Sequence, residues 1–256
     1  MTDLLRLEGI GKRFGGIIAL NEVSFAVQQG SIHGLIGPNG AGKTTLFNVI
    51  TGFYHADVGS LYLQGQRCPD QATPFDMSRR GVARTFQNIR LFPQMSVRDN
   101  VLVGRFMHRG SSLLDSILRT RRFRQDEKRQ LLRAEECLER MHLQHRADDV
   151  ASSLSYGEQR QLEIARALAT EPVLLALDEP AAGMNAQETE GLGSKLESLR
   201  REGLTLLLVE HDLPWVTRIC DRIAVLDFGR LVVNDVPAVI QRHPMVLQAY
   251  LGEEEV

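Results

Sequence analysis

The stretch Gly37-Pro38-Asn39-Gly40-Ala41-Gly42-Lys43-Thr44-Thr45 constrains the fold of this chain more than any other. It follows the apolar run Ile32-His33-Gly34-Leu35-Ile36, which reads as a buried strand. It precedes Leu46-Phe47-Asn48-Val49-Ile50, which reads as the start of a helix. Strand, Gly-rich turn, Lys-Thr and helix form the context in which the pattern G-x-x-x-x-G-K-T works as a phosphate-binding loop. Gly37, Gly40 and Gly42 permit backbone angles that turn successive N–H groups into one concavity. A helix starting near Lys43 adds its unpaired N–H groups and the positive end of its dipole. Lys43 brings a full positive charge toward the outer phosphates, and Thr44 offers a hydroxyl to Mg²⁺. The alternative, a Gly-rich turn that binds nothing, is disfavoured because the loop pattern and its flanks agree. A nucleoside triphosphate is the expected ligand.

The 256 residues suffice for one large α/β domain, or a domain with a small subdomain. The formal charge of −2 carries no nucleic-acid signature, so no nucleic-acid partner is expected. Cys68, Cys137 and Cys220 lie far apart without a C-x-x-C pair, which argues for reduced thiols in a cytosolic setting and against a disulfide frame or zinc site. No apolar run approaches the ~18–20 residues of a membrane span, and Met1-Thr2-Asp3 begins no signal peptide. A soluble chain that meets membranes through partners or its surface is expected.

Along the chain, Leu4 to Ile10 alternates as a half-exposed strand, Lys12-Arg13-Phe14-Gly15-Gly16 reads as a turn, and Ala19 to Val27 resumes alternation. With Ser60 to Gly65 as another short strand, the N-terminal part reads as an antiparallel sheet beside the nucleotide core. Phe14 is either an ordinary packed aromatic or a platform for a purine. Ser96, with Asp99 three residues on, is a plausible helix start. Residues 105 to 130 are basic (Arg105, Arg109, Arg119, Arg121, Arg122, Arg124, Lys128, Arg129), with Leu113, Leu114, Ile117 and Leu118 at helical spacing. They read as a solvated amphipathic face or as a contact for anionic headgroups or a partner. Leu131 to Met141 continues as helix, with Leu132, Cys137 and Leu138 on one side.

Leu154-Ser155-Tyr156-Gly157-Glu158-Gln159 opens a further helix, with Ser155 as N-cap and Glu158 completing a capping box. Val173 to Leu177 is apolar at every position, hence a strand buried on both faces of a parallel sheet, and it ends in Asp178-Glu179. Open α/β sheets place their ligands at the carboxyl ends of such strands. Glu188 to Arg201 reads as a helix, and Leu204 to Val209 is a second apolar strand ending in Glu210-His211-Asp212. His211 is either a satisfied structural histidine or, from its place at a core strand's end, a functional one. Ile223 to Val233 reads as a hairpin around Asp227-Phe228-Gly229-Arg230. His33, His55, His108, His142, His145 and His243 form no ligand pattern and are taken as bystanders.

The phosphate loop, the Leu-Ser-x-Gly-Glu-Gln signature, the Asp178-Glu179 strand end and His211 occur in the order of an ABC-type ATPase subunit, and the likeness covers essentially the whole chain. The finer resemblance is to the ATPase of branched-chain (hydrophobic) amino-acid importers, the LivG-like branch. It rests on Arg84-Thr85-Phe86-Gln87, Arg90-Leu91-Phe92, Tyr156, Leu162-Glu163-Ile164-Ala165-Arg166, Asp178 through Asn185, Glu210-His211-Asp212, Ala249-Tyr250-Leu251-Gly252 and the basic insert. The implied fold is α/β: a P-loop NTPase (RecA-like) core with an antiparallel β-subdomain and an inserted α-helical signature subdomain. Residues 1–87 and 170–256 would form the core with its β-subdomain, and 88–169 the helical part, of one domain spanning 1–256.

The resemblance also implies roles. Phe14 resembles the aromatic that stacks on adenine. Gly37, Pro38, Asn39, Gly40, Ala41, Gly42, Lys43, Thr44 and Thr45 would bind ATP, with Lys43 on the outer phosphates. Thr44 and Asp178 would hold Mg²⁺ directly or through water, and Gln87 resembles the catalytic residue that reaches both Mg²⁺ and the attacking water while linking to the helical subdomain. Glu179 resembles the general base, and His211 the γ-phosphate sensor that positions the attacking water. Ser155, Gly157, Glu158 and Gln159 resemble the signature that binds a second subunit's nucleotide. The expected unit is therefore a head-to-tail ATPase dimer of homologous or identical chains, driving two transmembrane permease subunits and, indirectly, a periplasmic binding protein. Its place would be the cytoplasmic face of the inner membrane, held peripherally. Tyr156 stands where many signatures have Gly, so its side chain must point away from the phosphate. Asn185 replaces a common Asp, which weakens any carboxylate role for that loop. The rival readings are a urea or lipopolysaccharide transporter, a soluble non-transport ABC ATPase, and a small-molecule kinase on the same loop. The kinase has no account of the signature or of Glu179.

Overall fold

The structure, a computed structural model, describes residues 2–108, 110, 115 and 119–251, excluding the side chains of 249–251. Arg109, Leu113, Leu114, Ile117, Leu118 and Gly252 lie outside the described residues, as do the side chains of Ala249, Tyr250 and Leu251. The chain divides into two units, one of Met1–Arg84, Val173–Pro180 and Leu196–Val256, the other of Thr85–Pro172 and Ala181–Lys195.

The first unit carries two sheets. Alternation of Leu5, Leu7 and Ile10 with Arg6 and Glu8 builds β1 (Asp3–Phe14), which pairs antiparallel with β2 (Ile17–Gln28) and β4 (Val58–Leu63); β5 (Gln66–Arg67) completes the order β2-β1-β4-β5. Lys12, Arg13 and Phe14 belong to β1 rather than to a turn, which is confined to Gly15-Gly16. The reason is visible in the pairing. Register shifts between Leu7 and Ile10, Ile10 and Lys12, and Lys12 and Arg13 interrupt the two-residue period, and bulges of this kind erase the alternation by which a strand is read.

The second sheet has the order β10-β9-β3-β8-β7-β6, with β3 (Ile32–Ile36), β6 (Val82–Arg84), β7 (Leu174–Asp178), β8 (Thr205–Val209) and β9 (Arg222–Asp227) parallel and β10 (Arg230–Asp235) antiparallel at one edge. All residues of β3, β7 and β8 are buried, as expected of strands covered on both faces. Helix α1 (Lys43–Ile50) contributes Leu46, Phe47, Val49 and Ile50 to a core shared with Leu5, Leu7 and Ile10 of one sheet and Leu35, Leu207 and Ala224 of the other. Because α1 leaves the phosphate loop directly, the core that buries it also fixes the loop. A short α2 (Pro74–Arg79) starts with a capping box made by Thr73 and Asp76.

In the second unit α3 (Val97–Gly104), α4 (Arg121–Arg140) and α5 (Tyr156–Leu168) pack on one another. Ser96 caps α3 by accepting from Asp99 N at 3.0 Å. One reading of the basic segment and one of the helix from Leu131 to Met141 change. Arg105 is buried, donating through Nε to Gln130 at 2.8 Å and through Nη1 to the Ala169 carbonyl and Glu171 at 2.9 and 2.8 Å. Leu132 is half exposed, while Ala134, Cys137, Leu138 and Met141 are buried. The buried face of α4 follows the helical period through 134, 137, 138 and 141, and 132 falls outside it. Helix α6 (Ala186–Arg201) follows β7, and α7 (Leu213–Ile219) follows β8; α8 (Pro237–Ile240) and α9 (Pro244–Leu251) end the described chain.

His33 lies fully buried in β3, stacked on Phe25 with centroids 5.3 Å apart. Burial, aided by the charge of Arg222, pulls its pKa from 6.5 down to about 3. The unfolded chain therefore takes up a proton here below about pH 6.5 that the folded chain refuses until about pH 3. Stability from this group is present above the higher value and declines by up to about 1.4 kcal/mol per pH unit as pH falls between the two. The thermal midpoint of the wild type should fall more steeply from pH 7 to 4.5 than that of His33→Phe; equal slopes would remove His33 as the responsible group.

Candidate nucleotide site

The phosphate loop links β3 to α1 and is held by backbone contacts. Gly37 has φ +150° in a place where a Cβ would lie 2.1 Å from the Leu226 carbonyl oxygen. Gly42, at φ +98°, is the N-cap of α1. Gly229 in the β9–β10 turn donates its N–H to Ala41 O at 3.0 Å and accepts from Asn21 N of β2 at 2.7 Å. Ala41 N donates to Pro38 O at 3.1 Å, closing the loop as a tight turn. Lys43 is buried, and its Nζ donates to the carbonyls of Gly37 and Pro38 at 2.6 and 3.0 Å. Asn39, Gly40 and Thr44 are exposed, and Thr45 is half-buried. A loop of left-handed glycines, a helix N-terminus and an ammonium held at the loop's rim make an anion site suited to a polyphosphate.

The ends of β7 and β8 bring the acidic residues and His211 into the same unit. Asp178 is buried, in register with Val209, with Arg84 Nη2 3.8 Å from its Oδ2. Glu179 follows at φ +47°, its N–H donated to Val209 O at 3.0 Å. His211 is exposed, with its Nδ1 3.8 Å from the Glu210 carboxylate and its N–H donated to the same oxygen at 3.3 Å. Glu210 is 1% exposed. It was legible only as part of an acidic–His triplet; its neighbour Asp212 instead caps α7 through Trp215 N at 3.0 Å. Phe14 is 42% exposed at the end of β1, edge-on to Tyr54 with centroids 5.2 Å apart. Both readings of Phe14 keep support: it has an aromatic neighbour and a free portion of ring.

Thr44 and Asp178 offer a hydroxyl and a carboxylate, oxygen donors suited to a hard cation. Among the described residues no three His, Cys, Asp or Glu side chains form a metal cluster. That donor set fits an ion held by few side chains together with substrate phosphates, as Mg²⁺ is, rather than an all-protein cage.

The remaining predicted residues belong to the second unit. Ser155 is the exposed N-cap of α5, accepting from Glu158 N at 3.3 Å while Glu158 Oε2 accepts from Ser155 N at 2.9 Å. Gly157 is buried against Glu188, Glu158 meets Arg146 at 3.3 Å, and Gln159 donates to Leu154 O at 2.9 Å. Asn185 and Glu188 cap α6 reciprocally at 3.0 Å, so Asn185 serves the helix start. Gln87 is exposed, and its carbonyl accepts from Arg160, a residue that sequence reasoning passed over.

The fold and loop define a P-loop ATPase cassette. The profile of the ABC transporter family matches residues 20–182, and the chain belongs to that family. It is 44% identical over 254 residues to the high-affinity branched-chain amino acid transport ATP-binding protein LivG of Escherichia coli, with 98% of each chain covered. To BraF of Pseudomonas aeruginosa, described in the same words, it is 42% identical over 252 residues, again with 98% of each covered. Among solved structures it resembles the ADP conformation of an ATP-binding cassette of an ABC transporter, with TM-score 0.86 and 33% identity over 98% of this chain and 100% of that one. The dimeric structure of a bacterial ABC transporter cassette matches with TM-score 0.76 and 26% identity over 91% of this chain and 98% of that one. The chain is an ABC ATPase and binds ATP. No helix among the described residues is long and apolar enough to cross a membrane.

Exposed Gly40 and buried Gly37 give a direct test of the brace on this loop. Gly40 has φ +80° with nothing within 4 Å of an added Cβ, so Gly40→Ala should cost only the left-handed strain, about 1 kcal/mol. At Gly37 the same methyl strikes backbone, and Gly37→Ala should cost several times as much. Urea denaturation of the two purified variants checks this; equal losses would mean that the hairpin does not brace the loop.

Proposed function

We propose that this chain is the ATP-hydrolysing subunit of an importer for branched-chain or hydrophobic amino acids. The observation that carries the substrate class is the end-to-end identity to transport ATP-binding proteins of that description in two bacteria. The working unit is a head-to-tail dimer of this chain with a homologous or identical ATPase. It is coupled to two permease subunits and, through them, to a periplasmic binding protein. It sits peripherally on the cytoplasmic face of the inner membrane. Residues 1–87 and 170–256 serve nucleotide binding, and 88–169 form the helical part that meets the permease.

In this reading Phe14 stacks on the adenine, and the backbone and side chains from Gly37 to Thr45 hold the phosphates. Lys43 exchanges its carbonyl partners for β- and γ-phosphate oxygens, a trade of neutral for charge-assisted hydrogen bonds. Thr44, Gln87 and Asp178 would hold Mg²⁺, which when bound would neutralise charge on the phosphate oxygens. Glu179 takes the proton of the attacking water, and His211, oriented by Glu210, holds that water toward the γ-phosphate. Ser155, Gly157, Glu158 and Gln159 of each subunit grip the nucleotide of the other. The N-cap hydroxyl of Ser155 already accepts from Glu158 N, so its own proton remains to be donated to a phosphate oxygen. The γ-phosphate thus bridges two subunits, and hydrolysis removes the bridge and lets them part.

The test joins chemistry to cargo. The chain is purified with the membrane subunits that accompany it after mild detergent extraction, and the complex is reconstituted in vesicles. ATP-dependent uptake of labelled leucine, isoleucine or valine is expected. Glu179→Gln should retain ATP binding while lowering hydrolysis and uptake by ~10²–10⁴-fold. Hydrolysis at the wild-type rate would overturn the base assignment; uptake confined to urea or another solute would overturn the cargo.

A further inference from the structure

Arg160 and Glu163 stand one turn apart on α5 and are almost wholly buried, at 2% and 1% exposure. Three of their polar atoms hold the backbone of the segment around Gln87. Arg160 Nη1 donates to Phe86 O at 2.7 Å, and Nη2 donates to Gln87 O. Glu163 Oε1 accepts from the N–H groups of Phe86 and Arg90, both at 3.4 Å, while Oε2 lies 3.4 Å from Arg160 Nη1. Backbone groups on both sides of the Gln87 side chain are therefore fastened to one helix, and the side chain itself is left exposed. The N-cap of that same helix is Ser155.

Tyr156 adds a second branch. Its hydroxyl accepts from Arg160 Nη2 at 3.1 Å, and its ring lies so close to Gly183 that a Cβ there would come within 3.0 Å of Cε1. The segment beginning at Ala181, which follows the Asp178-Glu179 strand end, is thus packed against the first residue of α5. Tyr156 is thereby engaged with Arg160 and Gly183.

We propose that Arg160 and Glu163, steadied by Tyr156, are positioning residues that make the Gln87 segment and the Ser155 end of α5 move as one body. Capture of the partner's γ-phosphate by Ser155 is then transmitted to Gln87, which serves this chain's own nucleotide. The two ATP sites of the dimer are coupled through the clamp. A single guanidinium is suited to this, since its planar fork serves two carbonyls and a hydroxyl at once, whereas an ammonium has no such geometry. Burial also supports the assignment. A buried ion pair adds little net stability over apolar packing, so its use here lies in holding backbone. The inference rests on the roles proposed above for Gln87 and Ser155.

The experiment compares the wild type, the double variant Arg160→Met/Glu163→Leu, which removes both charges of the pair at once and leaves Arg166 as the nearest remaining charge, and Gln87→Ala. Each is studied as the full chain and as the reconstituted transporter. Hydrogen exchange should show the Phe86 and Arg90 amides losing protection in the double variant. Turnover should fall about ten-fold and the Hill coefficient for ATP should drop toward one. The KM for ATP, set by the Lys43 loop, should stay within about two-fold. Unchanged protection overturns the clamp, and lost protection with wild-type turnover and cooperativity overturns the coupling. Wild-type turnover in Gln87→Ala overturns the role of Gln87 and with it the coupling, while exchange still reports on the clamp separately. Should the double variant not fold, Arg160→Lys, which keeps the charge and loses the fork, must show the same changes in milder form or the proposal fails.

Discussion

The first unit depends on a backbone-to-backbone brace between the phosphate loop and the β9–β10 turn. An anion site made of peptide N–H groups works only if those groups are already aimed, and within this loop the Lys43 side chain holds backbone through the Gly37 and Pro38 carbonyls. The rest of the aim comes from outside the loop. Leu226 O closes on Gly37, Gly229 N–H holds Ala41 O at 3.0 Å, and Asn21 N–H holds Gly229 O at 2.7 Å. Loop, hairpin and β2 thus satisfy one another's peptide groups, which leaves Asn39, Gly40 and Thr44 facing solvent. Buried α1 then transfers this fixed geometry into the shared core of both sheets.

A second consequence appears at the end of β7. Asp178 finishes the parallel ladder in register with Val209, and Glu179 N–H still bonds Val209 O, so the chain must turn within one residue. It does so with Glu179 at φ +47°, a conformation that costs on the order of 1–3 kcal/mol for a residue with a side chain. A glycine would relieve that strain but would have no carboxylate. The fully buried strands around it supply the rigidity that sustains the conformation. Just past the end of β8, Glu210 is buried and His211 exposed, with the Glu210 carboxylate 3.8 Å from His211 Nδ1.

Elements with a clear pattern were legible in the sequence: β3, β7 and β8 as predominantly apolar runs, α5 from its capping box, and the β9–β10 hairpin from its turn. Those that escaped did so for local reasons. Three-residue β6 is too short to show a period, and bulges in β1 hid Lys12 to Phe14 inside what looks like a turn. Arg105 reads as surface charge because a sequence pattern cannot show a buried guanidinium capping another helix's carbonyl. In the candidate site, the loop, Asp178, Glu179 and His211 announce themselves by standing at strand ends. Their supports do not: Gly229 and Arg84 act through contacts with residues remote in the chain, and the burial of Glu210 beside His211 is set by the fold.

Arg160 and Glu163 are the strongest instance of that blindness, and the reason is energetic. Charged residues three apart on a helix ordinarily mark a solvated face, where such a pair contributes only ~0.2–0.5 kcal/mol. Burying both imposes a desolvation penalty that lifts the Glu163 carboxyl above its usual range, opposed by the Arg160 charge. Among the described residues the Arg160 Nε finds no partner at all. An arrangement selected only for stability would replace such a pair with leucines of similar volume. What leucines would not supply is a grip on Phe86 O, Gln87 O and the two flanking N–H groups. A family of cassettes that place Gly at the position of Tyr156 has no ring to reach from α5 to Gly183. The side chain that looks like a departure from the signature is thus the one that ties it to its surroundings.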